Sequence, residues 1–205
     1  MTNASPNPAR SALREFASWT TGPVVSIFLP QDPNRPDLDP LQLKAAVQWA
    51  NDSLVTDHGQ SAAQAAAIRE VKPGNTWNQP HDAAVKVLAQ GMLDLKLLSG
   101  SLDEVLEKET YRQFYMHRTG HWLGLDVHDA GDYKRDGQWR KLEPGMVLTV
   151  EPGCYIRPAP NVPAAFENIG VRIEDDAVVT EAGCEILTAA APKSVADIEA
   201  LMASR

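Results

Sequence analysis

The chain reads as an α+β protein. Helical patterning fills the stretch that opens at Ser61. Apolar, β-branched runs take over beyond Tyr111, and the two textures are unevenly segregated rather than alternating as they would around a parallel sheet.

Before Ser61 the pattern is separate. Residues 8–19 fit a short helix, and Pro23–Leu29 (PVVSIFL) a buried strand. Pro30–Pro40 holds four prolines and three aspartates and reads as a loop. A helix follows from about Leu41 to Val55, with Leu43, Val47 and Leu54 loosely on one face and Thr56-Asp-His-Gly59 as its stop.

From Ser61 to Val71 the chain is alanine-rich and helical, and Lys72-Pro-Gly74 ends it with a turn. Asn78-Gln-Pro80 opens a second helix that runs to about Leu98, with Val85, Leu88, Met92 and Leu95 at helical spacing. Ser99-Gly-Ser begins a third, shorter helix, and Ser101 with Glu104 fits a capping box. Strands are expected at Met146–Val150, Gly170–Ile173, Ala177–Thr180 and Cys184–Leu187, and a last helix at Val195–Met202.

Composition narrows the function. A length of 205 residues suits one domain, or one domain with an appendage, and 43% hydrophobic with 22% charged residues is ordinary for a globular protein. The formal net charge of −8 argues against nucleic-acid binding, which calls for a basic patch. No apolar run approaches the roughly 20 residues of a membrane span. The N-terminus has no apolar signal-peptide core, so the cytoplasm is the expected location. Cys154 and Cys184 have no CxxC spacing and are expected to be reduced thiols.

The chemistry is concentrated in His117-Arg-Thr-Gly-His121-Trp-Leu-Gly-Leu-Asp-Val-His128-Asp129, then Val150-Glu151-Pro-Gly153, then Arg172-Ile-Glu174-Asp-Asp176. Three histidines and two glutamates are the inventory of a metal-dependent hydrolase, since imidazole and carboxylate suit Mn, Zn, Co or Fe. Their separations are too long for one helix face, so the ligands must converge from separate strands or loops.

These motifs, with Val71-Lys-Pro-Gly-Asn75 and Leu142-Glu-Pro-Gly-Met-Val-Leu-Thr-Val150, closely resemble the C-terminal part of Xaa-Pro aminopeptidases over residues 61–205. Those are pita-bread-fold dimetal peptidases related to prolidase and methionine aminopeptidase. The resemblance implies an incomplete pita-bread domain that removes the N-terminal residue of peptides with proline second. The usual metal is Mn2+, two per site, with Zn2+ or Co2+ as substitutes, and homo-oligomers are common. It implies that His121, Glu151 and Glu174 are metal ligands, Glu151 also helping to activate water and Glu174 bridging both metals. His117 and His128 resemble the histidines that hold substrate and stabilise the tetrahedral intermediate, and Arg172 the arginine that tethers an acidic ligand. The chemistry is coherent: a metal acidifies water, a carboxylate takes the proton, and metal plus histidine stabilise the oxyanion.

The family also uses two aspartates that precede the helix matching Ser61–Val71, and neither is found. Asp32, Asp37 and Asp39 lie in the proline-rich loop, and Asp52 and Asp57 in or after a helix. The expectation is one metal at most, held by His121, Glu151 and Glu174, and impaired peptidase activity. Residues 1–59 are expected to be unrelated to the aminopeptidase. A short match, Pro23–Pro30 followed by Asp39-Pro-Leu-Gln-Leu-Lys, resembles the opening of bacterial proteins related to peptide-chain release factors.

Blander readings apply elsewhere. His58 and His81 read as surface or capping groups, Asp175, Asp176 and Glu181 as solvated turn carboxylates, and the tryptophans as core or interface filling. Two functions stand as alternatives to the peptidase: a non-catalytic module that binds peptides or partner proteins, and a truncated gene remnant.

Overall fold

A computed structural model describes residues 62–203; the helices, strand and loop expected before Ser61 lie outside the described residues. Helix α1 (Ala62–Glu70) packs along helix α2 (Gln79–Asp94). Alanines make the approach close: Ala63 and Ala67 on α1, and Ala84 and Ala89 on α2, are completely buried. Pro80 sits in the first turn of α2, where its missing N–H costs nothing.

Helix α2 ends before Leu98 for a definable reason. Lys96 takes a left-handed conformation (φ 59°), and the Leu97 N–H donates to the Met92 carbonyl at 2.9 Å. That six-to-one bond, with Leu97 buried behind it, is a Schellman stop built on a non-glycine residue. Helix α3 (Leu102–Glu107) carries the expected capping box: the Glu104 N–H donates to Ser101 Oγ at 3.2 Å, and the Ser101 N–H to Glu104 Oε2 at 2.9 Å.

The strands form a ribbon with one interruption. After the small hairpin of β1 (Lys134–Arg135) and β2 (Gln138–Trp139) come β3 (Val147–Val150), β4 (Gly153–Ile156), β5 (Ile169–Arg172), β6 (Asp175–Val179) and β7 (Cys184–Ile186). Strand β3 pairs antiparallel with β6 from Val147↔Val178 to Val150↔Asp175, and β4 pairs with β5 from Gly153↔Arg172 to Ile156↔Ile169. Both ladders keep one register, so carrying it across the gap sets Glu151 opposite Glu174 and Pro152 opposite Ile173. Proline has no N–H to continue the ladder, which is why the ribbon breaks there. Strand β7 extends the sheet beyond β6, and α4 (Val195–Ala203) closes the described chain. The core lies between the helix pair and the ribbon, filled by Met92, Phe114, Tyr115, Leu142, Val150 and Val179.

Element bounds agree with the sequence expectations to within a few residues. The hairpin was not expected. The hairpin turns on Asp136-Gly137, both with positive φ (50° and 77°), the geometry an Asp-Gly pair favours in a two-residue loop. Cys154 and Cys184 are free thiols, Cys154 buried and Cys184 half-buried, and burial pushes the Cys154 thiol up to about 12.

Three expectations are corrected, the first being Asp176, which is no turn carboxylate but lies half-buried on β6 opposite Thr149. Asp175 is not a solvated turn carboxylate: it is 1% exposed on β6, with Lys193 Nζ at 2.8 Å. Nor is His81 a surface group; it is buried on α2 with Nδ1 2.9 Å from Thr119 Oγ1.

Candidate metal centre

The break in the ribbon is where the chemistry collects. Alternation along a strand puts residues two apart on the same face. The contacts follow it: the Thr149 hydroxyl donates to Glu151 Oε1 at 3.2 Å, and Arg172, two residues before Glu174, places Nη1 3.4 Å from Glu151 Oε2. Glu151 and Glu174 therefore meet on one face, because their strands are in register and the backbone ladder has just ended.

His121 arrives from a segment that is not a strand but runs beside β3. The Leu123 N–H donates to Val147 O, the Thr149 N–H to His121 O, and the Glu151 N–H to Thr119 O, at 3.1, 3.0 and 2.7 Å. The backbones approach so closely that a Cβ on Gly120 would lie 2.0 Å from the Thr149 carbonyl oxygen, so only glycine fits. Thr119 is itself pinned from two sides, by His81 and by the Tyr115 hydroxyl at 2.6 Å. Burial, helped by the positive charges of Arg118 and Arg112, lowers the His81 pKa to about 3, so this imidazole is neutral.

His121, Glu151 and Glu174 each offer a ligand atom, and these atoms all lie within 4.8 Å of one another. The His121 tautomer follows from its partner: Nδ1 is 2.9 Å from the Trp122 carbonyl, which can only accept, so Nδ1 carries the proton. Nε2 then turns a lone pair toward Glu151 Oε1 at 3.5 Å. A lone pair facing a carboxylate oxygen is a repulsive arrangement that a cation between them relieves. Burial, and then the charge of Glu151, raise the Glu174 carboxyl to about 7. One nitrogen and carboxylate oxygens are the donors that Mn2+, Zn2+ or Co2+ take, so the residues present fit a divalent cation.

The other expected site residues are arranged around this group. Arg172 contacts Glu151 as described. His128, exposed, meets the His121 ring edge-on with centroids 4.3 Å apart. His117 packs instead between tyrosines: Nδ1 lies 2.6 Å from the Arg118 carbonyl and so donates, leaving Nε2 to accept from the Tyr155 hydroxyl at 2.8 Å. His117, Tyr155, Arg157 and Arg172 line an open groove of about 650 Å³. Among the described residues no aspartate joins the His121–Glu151–Glu174 group.

A helix pair laid on an interrupted antiparallel ribbon, with a histidine and two glutamates gathered at the interruption, is part of a pita-bread domain, as its likenesses to known proteins show. The family described as metallopeptidase family M24 matches residues 60–181, and the chain belongs to that family. It is 54% identical over 140 residues to the Xaa-Pro aminopeptidase of Haemophilus influenzae, covering 68% of this chain and 32% of that protein. To the Xaa-Pro aminopeptidase of Escherichia coli it is 48% identical over 136 residues, 66% of this chain and 31% of that one.

Among solved structures, an aminopeptidase from Pseudomonas aeruginosa superposes with a TM-score of 0.69 at 49% identity, covering 80% of this chain and 35% of that one. Zinc-substituted Escherichia coli aminopeptidase P in complex with product gives 0.66 at 41% identity, over 80% and 34% of the two chains. The chain thus spans about a third of the length of the relatives it matches. No helix among the described residues is long and apolar enough to cross a membrane.

Proposed function

We propose that this chain is a metal-dependent aminopeptidase-type hydrolase that removes the N-terminal residue of peptides with proline at the second position. The unit is residues 61–205, with residues 1–59 a separate segment, and the corresponding location is the cytoplasm. The observation that carries the proposal is the His121–Glu151–Glu174 group, whose donor atoms lie within 4.8 Å of one another. His121 through Nε2, Glu151 and Glu174 would hold one divalent cation, Mn2+ in the first instance. Bound there, the cation supplies Lewis acidity toward a peptide carbonyl and toward water.

The remaining steps belong to the protein. Glu151 takes the proton of the attacking water, its other oxygen held by Arg172. His128 beside His121 would hydrogen-bond to the developing oxyanion, and His117, fixed between the Arg118 carbonyl and the Tyr155 hydroxyl, lines the groove that holds the substrate. Proline selectivity fits a site that reads ring shape, because the imide nitrogen has no hydrogen to donate.

With no aspartate in the group among the described residues, the expected stoichiometry is one cation per chain and the expected turnover is slow. The same observation favours a second reading, in which the cleft binds such peptides without cleaving them. Calorimetric titration with Mn2+, paired with release of the N-terminal residue from an Xaa-Pro peptide, tests both. One Mn2+ per chain and slow turnover that vanishes in Glu174→Ala supports the hydrolase. Peptide binding with no turnover supports the second reading. Two tightly held Mn2+ ions per chain would overturn the single-cation assignment, and no Mn2+ binding would overturn the metal centre.

A further inference from the structure

Behind the metal-centre face of the ribbon, α1 contributes one polar side chain to an otherwise alanine-lined contact. Gln64 is completely buried, and its amide nitrogen lies 3.3 Å from Val150 O, 3.4 Å from Ile173 O and 3.1 Å from Asp175 Oδ2. The first two acceptors are the main-chain carbonyls immediately before Glu151 and Glu174. One amide group thus touches both strands at the peptide units that carry the two carboxylates.

The break in the ribbon explains why such a group is needed there. Pro152 stands opposite Ile173 in the shared register and has no N–H to offer its carbonyl. A buried carbonyl without a donor is unfavourable, and the ladder that would otherwise fix strand separation is missing at this step. The third acceptor, Asp175, is held in turn by the Lys193 ammonium at 2.8 Å and the Thr188 hydroxyl at 2.7 Å. The amide is therefore anchored at its far side as well.

We propose that Gln64 is a positioning residue for the metal centre: its amide replaces the interrupted ladder and sets the separation of Glu151 and Glu174. It acts through the backbone preceding each carboxylate. The inference rests on the metal-centre reading above for its consequence, but the clamp itself is a property of the metal-free protein.

The test uses the full chain with Co2+ as the probe metal, comparing wild type with Gln64→Met, which keeps the volume and loses the donors. Ile68→Ala, on the same helix, serves as a packing control brought to the same stability. Gln64→Met is expected to weaken Co2+ binding about tenfold or more, the range for losing groups that orient ligands, and to shift the visible Co2+ absorption. Ile68→Ala is expected to keep both affinity and spectrum.

Hydrogen exchange on the metal-free proteins supplies a readout that needs no cation. Gln64→Met should speed exchange selectively at residues 150–151 and 173–175, leaving β7 unchanged. Wild-type affinity and spectrum in Gln64→Met would overturn the proposal, as would an equal loss in Ile68→Ala. If wild type binds no Co2+, the metal-centre reading fails, and exchange alone decides: unchanged rates at those two segments overturn the clamp, and selective acceleration upholds it.

Discussion

Glu174 and Asp175 are neighbours on one strand end, and their surroundings are opposite. Asp175 points to the side where Lys193, Thr188 and Gln64 each reach it within 3.1 Å, and it is sealed from water. Glu174 faces the other side, half-buried beside Glu151, and its carboxyl is raised to about 7 by burial first and that second negative charge next. One face of the ribbon break has its charge matched by the protein; the other collects two carboxylates and a histidine against the single guanidinium of Arg172. On the proposed function, the matched face is architecture and the other is capacity for binding. The two carboxylates collect different partners because successive residues on a strand point to opposite sides.

The largest effect is expected on the matched side. Lys193→Met leaves Asp175 buried without its cation, and breaking a buried pair in this way costs about 3–5 kcal/mol. Adding Asp175→Asn to the same protein should return part of that loss, because a neutral amide no longer needs the ammonium. Urea unfolding near neutral pH measures both. A change within about 0.5 kcal/mol for Lys193→Met, the usual size for a surface substitution, would mean the pair does not anchor this face.

A smaller effect, dependent on pH, is expected at His81, which steadies the segment that delivers His121. Its folded pKa is about 3 against 6.5 unperturbed, so the folded protein disfavours the proton that the unfolded chain accepts. The stability contribution is complete above pH 6.5 and is lost as pH falls toward 3. Between pH 7.5 and 4.5 the loss should be about 2 kcal/mol. His81→Gln, neutral throughout, should lose correspondingly less over the same interval. Parallel acid sensitivity in the two proteins would show that His81 does not titrate on unfolding.

How much of this was legible beforehand divides along the same line. His121, Glu151 and Glu174 stand in long motifs and could be named from sequence, as could the helices, whose apolar spacing and caps are local. What joins the three residues could not be read. It depends on a shared register across Pro152 and on His121 being carried beside β3 by backbone bonds rather than by a strand of its own. The matched face was missed altogether. Gln64, His81 and Lys193 are single buried polar residues, and one polar side chain in a helix or loop carries no periodic mark of its partner far along the chain. Asp175 was misplaced for a related reason: two consecutive aspartates after a glutamate look like a solvated turn until the lysine 18 residues on is seen to fold back onto the first of them. The hairpin at Asp136-Gly137 is different, because its turn signal was present in the sequence and went unused.

The smallest expected effect is the one that most sharply separates the two faces, because its sign is reversed. Glu174→Gln removes a carboxylate that the metal-free protein accommodates poorly. A raised acid pKa means that the metal-free wild type loses stability as pH rises from 4.5 toward about 7, and at pH 8 the penalty is complete. The group is partly open to water, so the full shift overstates the energy. After solvent screening about 1 kcal/mol remains. Metal-free Glu174→Gln should therefore be more stable than wild type by about that amount at pH 8, and no more stable at pH 4.5, while holding Mn2+ far less tightly. Thermal melts in a chelator at the two pH values, followed by Mn2+ titration, give the comparison. A substitution that destabilises the metal-free protein at pH 8 would show Glu174 to be a structural group like Asp175, and the distinction between the two faces would fall with it.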